Sequence, residues 1–397
     1  MKQNFELRTW QKEAFSIWER QMRGVVAAVT GAGKTSFALL CIEKFFRTIP
    51  NGVVLVVVPT QALLDQWYLS LVDDAGVQSS DIGVVASGRK DWRGRKYVIS
   101  VINSARALAH KISEQAPTML VVDECHRAGS EKNAQIFTGS FSATLGLSAT
   151  PERQYDDGFK RLIQPNLGDI IYRYGYERAY ADGVIAPFKL TNIRFSLTQQ
   201  EQEEYDMLSR RIAVLLQNTN EDSGERIKLM LLKRSRISWN SPLRVPLAAR
   251  IALEHQRDRV IVFHESVKQA DEIYRILRAR NLRTTIYHTG MSPEHRRENL
   301  RLYRNGYYTS LICCRALDEG LNVPLTSVGI IASGTSSMRQ RIQRLGRVLR
   351  QIPGKESAII YTLYATDSEA NRLMHEADKM VEITSVKWLG VNLEFSG

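Results

Sequence analysis

Cysteine is scarce in this sequence. Only four of the 397 residues are cysteine, and no two of them form a CxxC pair. A zinc ribbon, a disulfide framework and a four-cysteine iron–sulfur site are therefore excluded. We expect the four thiols to be buried and reduced.

Long hydrophobic runs are also missing. No apolar run approaches the roughly 18 residues that a membrane helix needs, and the densest run, Val53–Val58, has the length of one buried strand. The first eight residues contain Glu6 and no continuous apolar segment, so no signal peptide is visible. We expect a protein of the cytoplasm, or of the nucleus in a eukaryote, with no membrane association.

Glycine (25) and proline (11) show no excess, which excludes collagen-like and low-complexity chains. The length predicts about two or three domains. Acidic residues are outnumbered, 42 against 54 basic ones, and the formal net charge is +12. This charge favours a polyanionic partner, although it does not separate DNA, RNA and a membrane surface.

Two parts of the chain alternate β-rich runs with amphipathic helices, the pattern of a parallel sheet covered on both faces. In residues 1–187 we predict strands at 25–29, 53–58, 97–101, 119–123 and 144–148. In residues 245–397 we predict strands at 260–263, 284–287, 310–313, 328–332 and 358–363, with a helix at 338–349. The predicted fold class is α/β, with two sheet domains.

The predicted connector between these parts, residues 188–244, has a different pattern. Thr198 followed by Glu201 predicts a capping box that opens a helix. The stretch 226–250 contains basic residues and no acidic one, with Trp239 among them. It is either a solvated linker or, through residues such as Arg236 and Trp239, a nucleic-acid contact.

A phosphate-binding loop is predicted after the first strand, in the sequence Thr30-Gly31-Ala32-Gly33-Lys34-Thr35. Glycines let backbone N–H groups close around phosphate oxygens, and the following helix adds its positive end. Lys34 is expected to hold the β and γ phosphates of ATP, and Thr35 to bind Mg²⁺. Ala28 stands where this motif commonly has its first glycine.

A second element of the same chemistry is the pair Asp123 and Glu124, which directly follows an apolar strand. In a sheet with a phosphate-binding loop, that strand end faces the phosphates. Asp123 is therefore a candidate for holding Mg²⁺, and Glu124 for polarising the attacking water.

Together these motifs resemble those of superfamily 2 helicases. The resemblance rests on the phosphate-binding loop, on Asp123-Glu124-Cys125-His126, on Ser148-Ala149-Thr150 and on Gln343-Arg344-Leu345-Gly346-Arg347-Val348-Leu349-Arg350. Within the superfamily the chain looks most like the XPB-type group, with which phage helicases of the UvsW type share features. The resemblance implies two tandem RecA-like parallel-sheet domains joined by the helical, basic segment.

The resemblance also implies roles in nucleotide binding and turnover. Gln11 matches the adenine-reading glutamine of the family, while Gly320 and Asn322 fall in the motif that contacts the ribose. Arg347 and Arg350, three residues apart on a helix, are implied as arginine fingers, with Gln343 beside them. His126, Ser148 and Thr150 are implied to couple the ATP site to movement.

For nucleic acid, the resemblance implies contacts from Thr60 in the first half and from His288 and Arg296 in the second. At a further contact motif of the family this chain has Val101-Ile102-Asn103-Ser104. The threonine and the glutamine that the family usually has in that motif are absent.

The function implied is an ATP-dependent DNA helicase or translocase that uses ATP and Mg²⁺. It is expected to act as a monomer on single-stranded, forked or branched DNA, independently of sequence, in repair, recombination or replication, with fork remodelling or branch migration as the leading activity. One alternative is an RNA-dependent ATPase or RNA helicase. Others are a duplex translocase of a defence or restriction system, and a non-motor nucleotide switch.

Overall fold

The computed structural model describes residues 7–29, 31–86, 88–152, 157–184, 188–217, 223–314, 326–333, 358–378 and 384–391. Described residues up to 184 form one compact unit, and those from 188 onward form another. None of the described helices is long and apolar enough to cross a membrane.

The first unit is built on an eight-stranded sheet. Its strands are β1 Val25–Ala28, β2 Val53–Val58, β3 Ile82–Ala86, β4 Arg89–Lys90, β5 Tyr97–Val101, β6 Thr118–Asp123, β7 Ala143–Ser148 and β8 Ile170–Tyr174. Their order is β4-β3-β5-β2-β6-β7-β1-β8, and every neighbouring pair is parallel except β3 with β4. The central strands are buried along nearly their whole length, as expected for a parallel sheet covered on both faces.

Helices and short turns connect these strands. The α-helices are α1 Thr9–Gln21, α2 Lys34–Thr48, α3 Gln61–Leu69, α4 Ile102–Ala105, α5 Ala109–Ser113, α6 Glu131–Ala134, α7 Gln164–Leu167 and α8 Tyr176–Ala181. One-turn π-helices lie at Ser70–Asp74 and Phe159–Ile163, and 3₁₀ turns lie at Ser79–Asp81, Cys125–Ala128 and Gln135–Phe137.

The second unit has a seven-stranded, wholly parallel sheet in its described part. Its strands are β9 Phe188–Phe195, β10 Val260–His264, β11 Thr284–Tyr287, β12 Ser310–Cys314, β13 Val328–Ile331, β14 Ala358–Tyr364 and β15 Thr384–Val391, in the order β11-β12-β10-β13-β14-β9-β15. The helices are α9 Gln199–Gln217, α10 Ser223–Trp239, α11 Arg244–Glu254, α12 Val267–Ala279, α13 Pro293–Arg304 and α14 Asp367–Asp378.

The predicted α/β class with two parallel sheets is confirmed, and so is the capping box. The Thr198 backbone N–H donates to Glu201 Oε2 over 2.9 Å, and the Glu201 N–H donates to Thr198 Oγ1 over 3.3 Å. The predicted helix at 338–349 lies outside the described residues.

The predicted separation of a connector at 188–244 from a second domain at 245–397 differs from the structure. β9 is hydrogen-bonded between β14 and β15, so the second unit includes residues from 188 onward. The physical reason is that β9 finds its partners more than 160 positions later in the chain, at Ala358 and Thr384. A local sequence pattern does not indicate pairing between segments that are so far apart in the chain.

A buried ion pair connects several elements of the second unit. Arg244, the first residue of α11, is fully buried and donates to Glu369 of α14 over 2.8 Å. Arg244 also donates to the backbone carbonyl of Ala332, just after β13, and to that of Leu363, the last residue but one of β14. Its guanidinium lies 4.9 Å from the centre of the Phe195 ring in β9. Burial lowers the pKa of Arg244, and Glu369 opposes that shift.

Glu369 is held as firmly as its partner. Its Oε2 accepts hydrogen bonds from the Ser238 hydroxyl (2.6 Å) and from the backbone N–H groups of Ala365 (2.9 Å) and Thr366 (3.2 Å). Burial acts to raise the pKa of Glu369, but Arg244 and these donors together hold it below its ordinary 4.5. The stabilisation is therefore present above about pH 4.5 and is lost as the pH falls through the folded-state pKa.

We expect Arg244→Met to destabilise the chain by about 3–5 kcal/mol, because it leaves the buried Glu369 carboxylate without its cation. The double variant Arg244→Met/Glu369→Gln should lose less, since a neutral amide oxygen still accepts the backbone N–H groups. Urea unfolding of Arg244→Met, Glu369→Gln and the double variant measures the difference. A double variant as unstable as the sum of the two single variants would show that the pair is not coupled.

Candidate functional site

Three neighbouring strands of the first sheet end side by side. Ala27 of β1 is paired with Ser148 of β7, and Leu147 of β7 is paired with Asp123 of β6. Because the strands are parallel, the segments that follow them leave the sheet at the same edge. This register brings the predicted phosphate-binding loop, Asp123 and Ser148 together.

The loop after β1 has the backbone that its glycines allow. Gly31 has φ +84° and Gly33 has φ +97°, values that residues with a side chain rarely adopt. A Cβ atom at Gly33 would also lie 2.9 Å from the Gln11 amide nitrogen. The helix α2 begins directly afterwards at Lys34, so its first N–H groups face the loop.

Lys34 reaches back over the loop, and its Nζ donates to the Ala28 carbonyl over 2.9 Å. Ala28 thus contributes a carbonyl at the position where the motif commonly has glycine. Thr35 lies in the first turn of α2, and Ala32 is buried. Thr30 lies outside the described residues.

Helix α1 supports this loop from one side. The Gln11 Nε2 donates to the Gly33 carbonyl over 3.0 Å, and the Gln11 Oε1 accepts from the Arg8 backbone N–H over 2.9 Å. The Trp10 indole N–H donates to the Ala32 carbonyl over 3.2 Å, and its ring stacks on Tyr174 at 5.2 Å. The glutamine predicted to read adenine therefore contacts the loop directly, and one amide N–H and one oxygen lone pair remain for a ligand.

Asp123 ends β6 and is buried. Its Oδ2 accepts a hydrogen bond from the Trp67 indole N–H over 2.9 Å, and its Oδ1 accepts from the Glu124 backbone N–H over 3.0 Å. Trp67 belongs to α3 and is fully buried. The two donors hold the carboxylate plane in one orientation.

Glu124 lies in a left-handed backbone conformation, with φ +49°, which costs a residue with a side chain about 1–2 kcal/mol. The side chain is 3% exposed, and its Oε2 makes no hydrogen bond in the described part of the chain. A buried carboxylate oxygen without a donor is suited to accept a proton from water. Beside it, burial and the charges of Glu124 and Asp123 raise the pKa of the Cys125 thiol, so Cys125 stays protonated.

His126 connects the ends of β6 and β7. Its Nδ1 lies 3.0 Å from the Ser148 hydroxyl and 3.5 Å from Glu124 Oε2. The Ser148 oxygen also accepts the Thr150 backbone N–H over 3.1 Å. His126, Ser148 and Thr150, which were predicted to couple the ATP site to movement, thus form one chain of contacts. The Nδ1 atom of His126 lies between the Glu124 carboxylate and the Ser148 hydroxyl.

These residues fit a nucleotide phosphate group and Mg²⁺. The loop offers backbone N–H groups and an ammonium to phosphate, and the Asp123 carboxylate and the Thr35 hydroxyl are the oxygen ligands that Mg²⁺ prefers. No group of three or more His, Cys, Asp or Glu side chains among the described residues could hold a metal. A Mg²⁺ ion here would complete its ligand shell with phosphate and water oxygens.

The residues predicted to contact nucleic acid are in different environments. Thr60 caps α3, and its Oγ1 accepts the Leu63 N–H over 3.3 Å. Arg236 is exposed on α10, and Trp239 is half-buried at the end of that helix. His288 is half-buried, with its Nε2 3.4 Å from Asp271 Oδ1.

Arg296 is more buried than the other predicted contact residues of the second unit. It is 5% exposed and donates to the Met291 carbonyl over 2.9 Å, so it braces the turn before α13 instead of presenting its charge to solvent. The prediction followed a motif spacing, and spacing does not tell whether an arginine in the first turn of a helix faces inward. Gly320, Asn322, Gln343, Arg347 and Arg350 lie outside the described residues.

Two tryptophans of the site were not predicted. Trp10 precedes Gln11, and Trp67 ends the stretch Pro59-Thr60-Gln61-Ala62-Leu63-Leu64-Asp65-Gln66-Trp67. Their apolar surroundings point to the core, and only the fold shows that their N–H groups face the loop and Asp123. A buried tryptophan usually finds an acceptor, and this is the one signal that could have indicated them.

Known proteins match both units. The family described as "Type III restriction enzyme, res subunit" matches residues 4–153, and "Helicase conserved C-terminal domain" matches residues 244–351. The DNA 3'-5' translocase XPB2 of Sulfurisphaera tokodaii is 31% identical over 91% of this chain and 82% of that protein. The DNA 3'-5' helicase XPB of Kineococcus radiotolerans is 24% identical over 91% of this chain, which spans 60% of that relative's length.

Among solved structures, S. cerevisiae Dbp5 bound to RNA and ADP BeF3 is similar, with a TM-score of 0.63 and 13% identity over 97% of this chain and 89% of that chain. At this identity the likeness concerns the fold alone, and it agrees with two RecA-like units. The identity to XPB2 extends over nearly the whole chain, including both matched helicase regions. This chain therefore belongs to the XPB-type family of superfamily 2 helicases.

Proposed function

We propose that this chain is an ATP-driven motor on DNA, a translocase that moves 3' to 5' and remodels forked or branched duplexes. The observation that carries the proposal is the convergence of Lys34, the Asp123–Glu124 pair and the His126–Ser148 contact at one sheet edge. Relatives named as DNA 3'-5' translocases and helicases support the choice of substrate. The surplus of basic residues also suits a polyanion.

The chemistry proposed for this edge is attack of water on the terminal phosphate of ATP. Lys34 and the loop N–H groups bind and orient the phosphates, and Mg²⁺ would neutralise charge that develops on them. Glu124, buried and without a hydrogen bond on Oε2 in the described part of the chain, accepts the proton of the attacking water. Trp67 keeps the Asp123 carboxylate turned toward the ligand position.

Coupling is proposed to pass through His126. Its Nδ1 can donate either to Ser148 or to Glu124, because both lie within 3.5 Å. When Glu124 gains a proton, it becomes a poorer hydrogen-bond acceptor, and the hydrogen bond from the His126 ring then goes to Ser148. That change is transmitted to Thr150 through the shared Ser148 hydroxyl. Repair, recombination and branch migration are processes in which such a motor would act.

Lys34→Ala is expected to abolish ATP turnover while leaving DNA affinity within a few fold, because it removes the ammonium over the loop and no surface charge. Lys44→Ala, on the exposed side of the same helix α2, is the matched control and should retain activity. Hydrolysis is measured with single-stranded DNA, blunt duplex, forked DNA, four-way DNA and RNA at equal nucleotide concentrations.

Strongest stimulation by forked, four-way or duplex DNA would support the proposed substrate. Strongest stimulation by RNA would overturn it in favour of RNA remodelling. Normal hydrolysis by the Lys34→Ala protein would contradict the assignment of the phosphate-binding loop itself.

Trp67→Phe should lower kcat by about ten- to a hundredfold, because an unpaired buried acceptor on Asp123 costs about 1–3 kcal/mol. ATP affinity should stay within a few fold. Trp18→Phe is the control, since Trp18 is also fully buried and its indole N–H donates to the Thr144 carbonyl over 3.0 Å. Equal losses of kcat in the two variants would assign Trp67 a purely structural role.

Arg350→Ala addresses the predicted arginine finger. We expect nucleotide affinity within a few fold of wild type and turnover lower by at least about a hundredfold, because the finger acts on charge that develops only in the transition state. Single-turnover hydrolysis separates these two effects. Unchanged turnover would remove Arg350 from the proposed site.

A further inference from the structure

Arg372, in the second turn of α14, is a cation without a partner. It forms no ion pair or hydrogen bond within the described ranges of the chain, and its Nε is buried. Buried donors in native proteins are normally satisfied by protein, water or a ligand. An unsatisfied guanidinium nitrogen therefore points to a group that binds there.

The Arg372 side chain lines a cavity of about 200 Å³ in the second unit. Three helices form its walls, with Tyr205 from α9, Arg234 and Trp239 from α10, and Ser368 and Arg372 from α14. Helix α14 follows β14, so this cavity lies at the carboxyl edge of the second sheet. Its lining combines cations, hydroxyls and aromatic rings.

The charge of this cavity is positive. The acidic residue in its wall, Glu369, already pairs with Arg244 and accepts four further hydrogen bonds. The Arg234 guanidinium lies 5.2 Å from the centre of the Tyr205 ring and donates to the Ser209 hydroxyl over 3.2 Å, with no ion pair to any described residue. Arg234 and Arg372 thus present two charges that no described carboxylate compensates.

We propose that this cavity, hereafter the Arg372 cavity, binds one phosphate group of the nucleic-acid backbone. The proposal rests on the proposed function and adds a phosphate-binding site on the second unit. A volume of about 200 Å³ is below that of pockets that enclose whole small ligands, so a single group of a larger ligand fits better. Arginine forks match phosphate oxygens in geometry, and Ser368 adds a hydroxyl donor.

The surroundings favour a nucleic acid over a free anion. Helix α10, which forms one wall of the Arg372 cavity, also carries exposed basic side chains, at Arg226, Lys228, Lys233 and Arg236. These side chains extend along about 15 Å of helix and point to more than one side of it, so they raise the positive potential around the cavity. Trp239 in the cavity wall adds an aromatic ring beside which a sugar or base can lie, while the Tyr205 ring holds Arg234 in place.

The test is the salt dependence of DNA binding by the full chain. Arg372→Gln and Arg234→Gln should each reduce the slope of log K against log salt by about 1, the value for one lost phosphate contact. The control is Arg280→Gln, an exposed arginine just after α12, at the amino edge of the same sheet. It removes the same charge and should leave the slope unchanged. The thermal midpoint of Arg372→Gln should not fall, since no partner is lost.

Each outcome decides the proposal. Slopes equal to wild type for both Arg372→Gln and Arg234→Gln would overturn the Arg372 cavity as a nucleic-acid site while leaving the proposed function intact. Absence of DNA binding by the wild-type chain would overturn the proposed function as well. The last measurement is titration with inorganic phosphate alone. If phosphate binding depends on Arg372 while the salt dependence of DNA binding is unchanged in the variants, the cavity binds free phosphate and the proposed nucleic-acid site is overturned.

Discussion

Strands β6, β7 and β1 lie next to one another with their carboxyl ends in register, and the proposed ATP site depends on this alignment. The pairings of Ala27 with Ser148 and of Leu147 with Asp123 align segments that lie far apart in the sequence. A shift of one residue in either pairing would turn the side chain of Asp123 or Ser148 to the opposite face of the sheet. The buried apolar character of these strands is therefore a requirement of the chemistry as well as of stability.

Around this edge, hydrogen bonds to main-chain and carboxylate oxygens hold the glycine loop and Asp123 in position. Gln11 and Trp10 bind the carbonyls of the glycine loop, and Trp67 binds Asp123. The left-handed conformation of Glu124 is a local cost that the surrounding fold maintains. Such strain at a strand end is typical of positions where side-chain direction matters more than local stability.

At the carboxyl edge of the second sheet, a buried ion pair holds the neighbouring elements together. Arg244 and Glu369 join α11, α14 and the ends of two strands through charged hydrogen bonds in a buried setting. The same cluster neutralises the acid in the wall of the Arg372 cavity and leaves the neighbouring arginines positive. His264, at the end of β10, is kept neutral because burial and the charge of Arg244 lower its pKa to about 3. The edge therefore combines a rigid ion pair with an uncompensated positive surface.

The sequence alone determined the fold class, most strand positions and the family, because these depend on local patterns: apolar runs, glycines before a helix, and carboxylates after a strand. It missed β9 as a strand of the second sheet, since its partners are distant in the chain. It did not indicate that Arg296 is buried, and it did not indicate Trp67, Arg244 or Arg372 as site or anchoring residues. Tertiary structure decided which way each of these side chains faces, because burial and hydrogen-bond partners arise only when remote segments pack together.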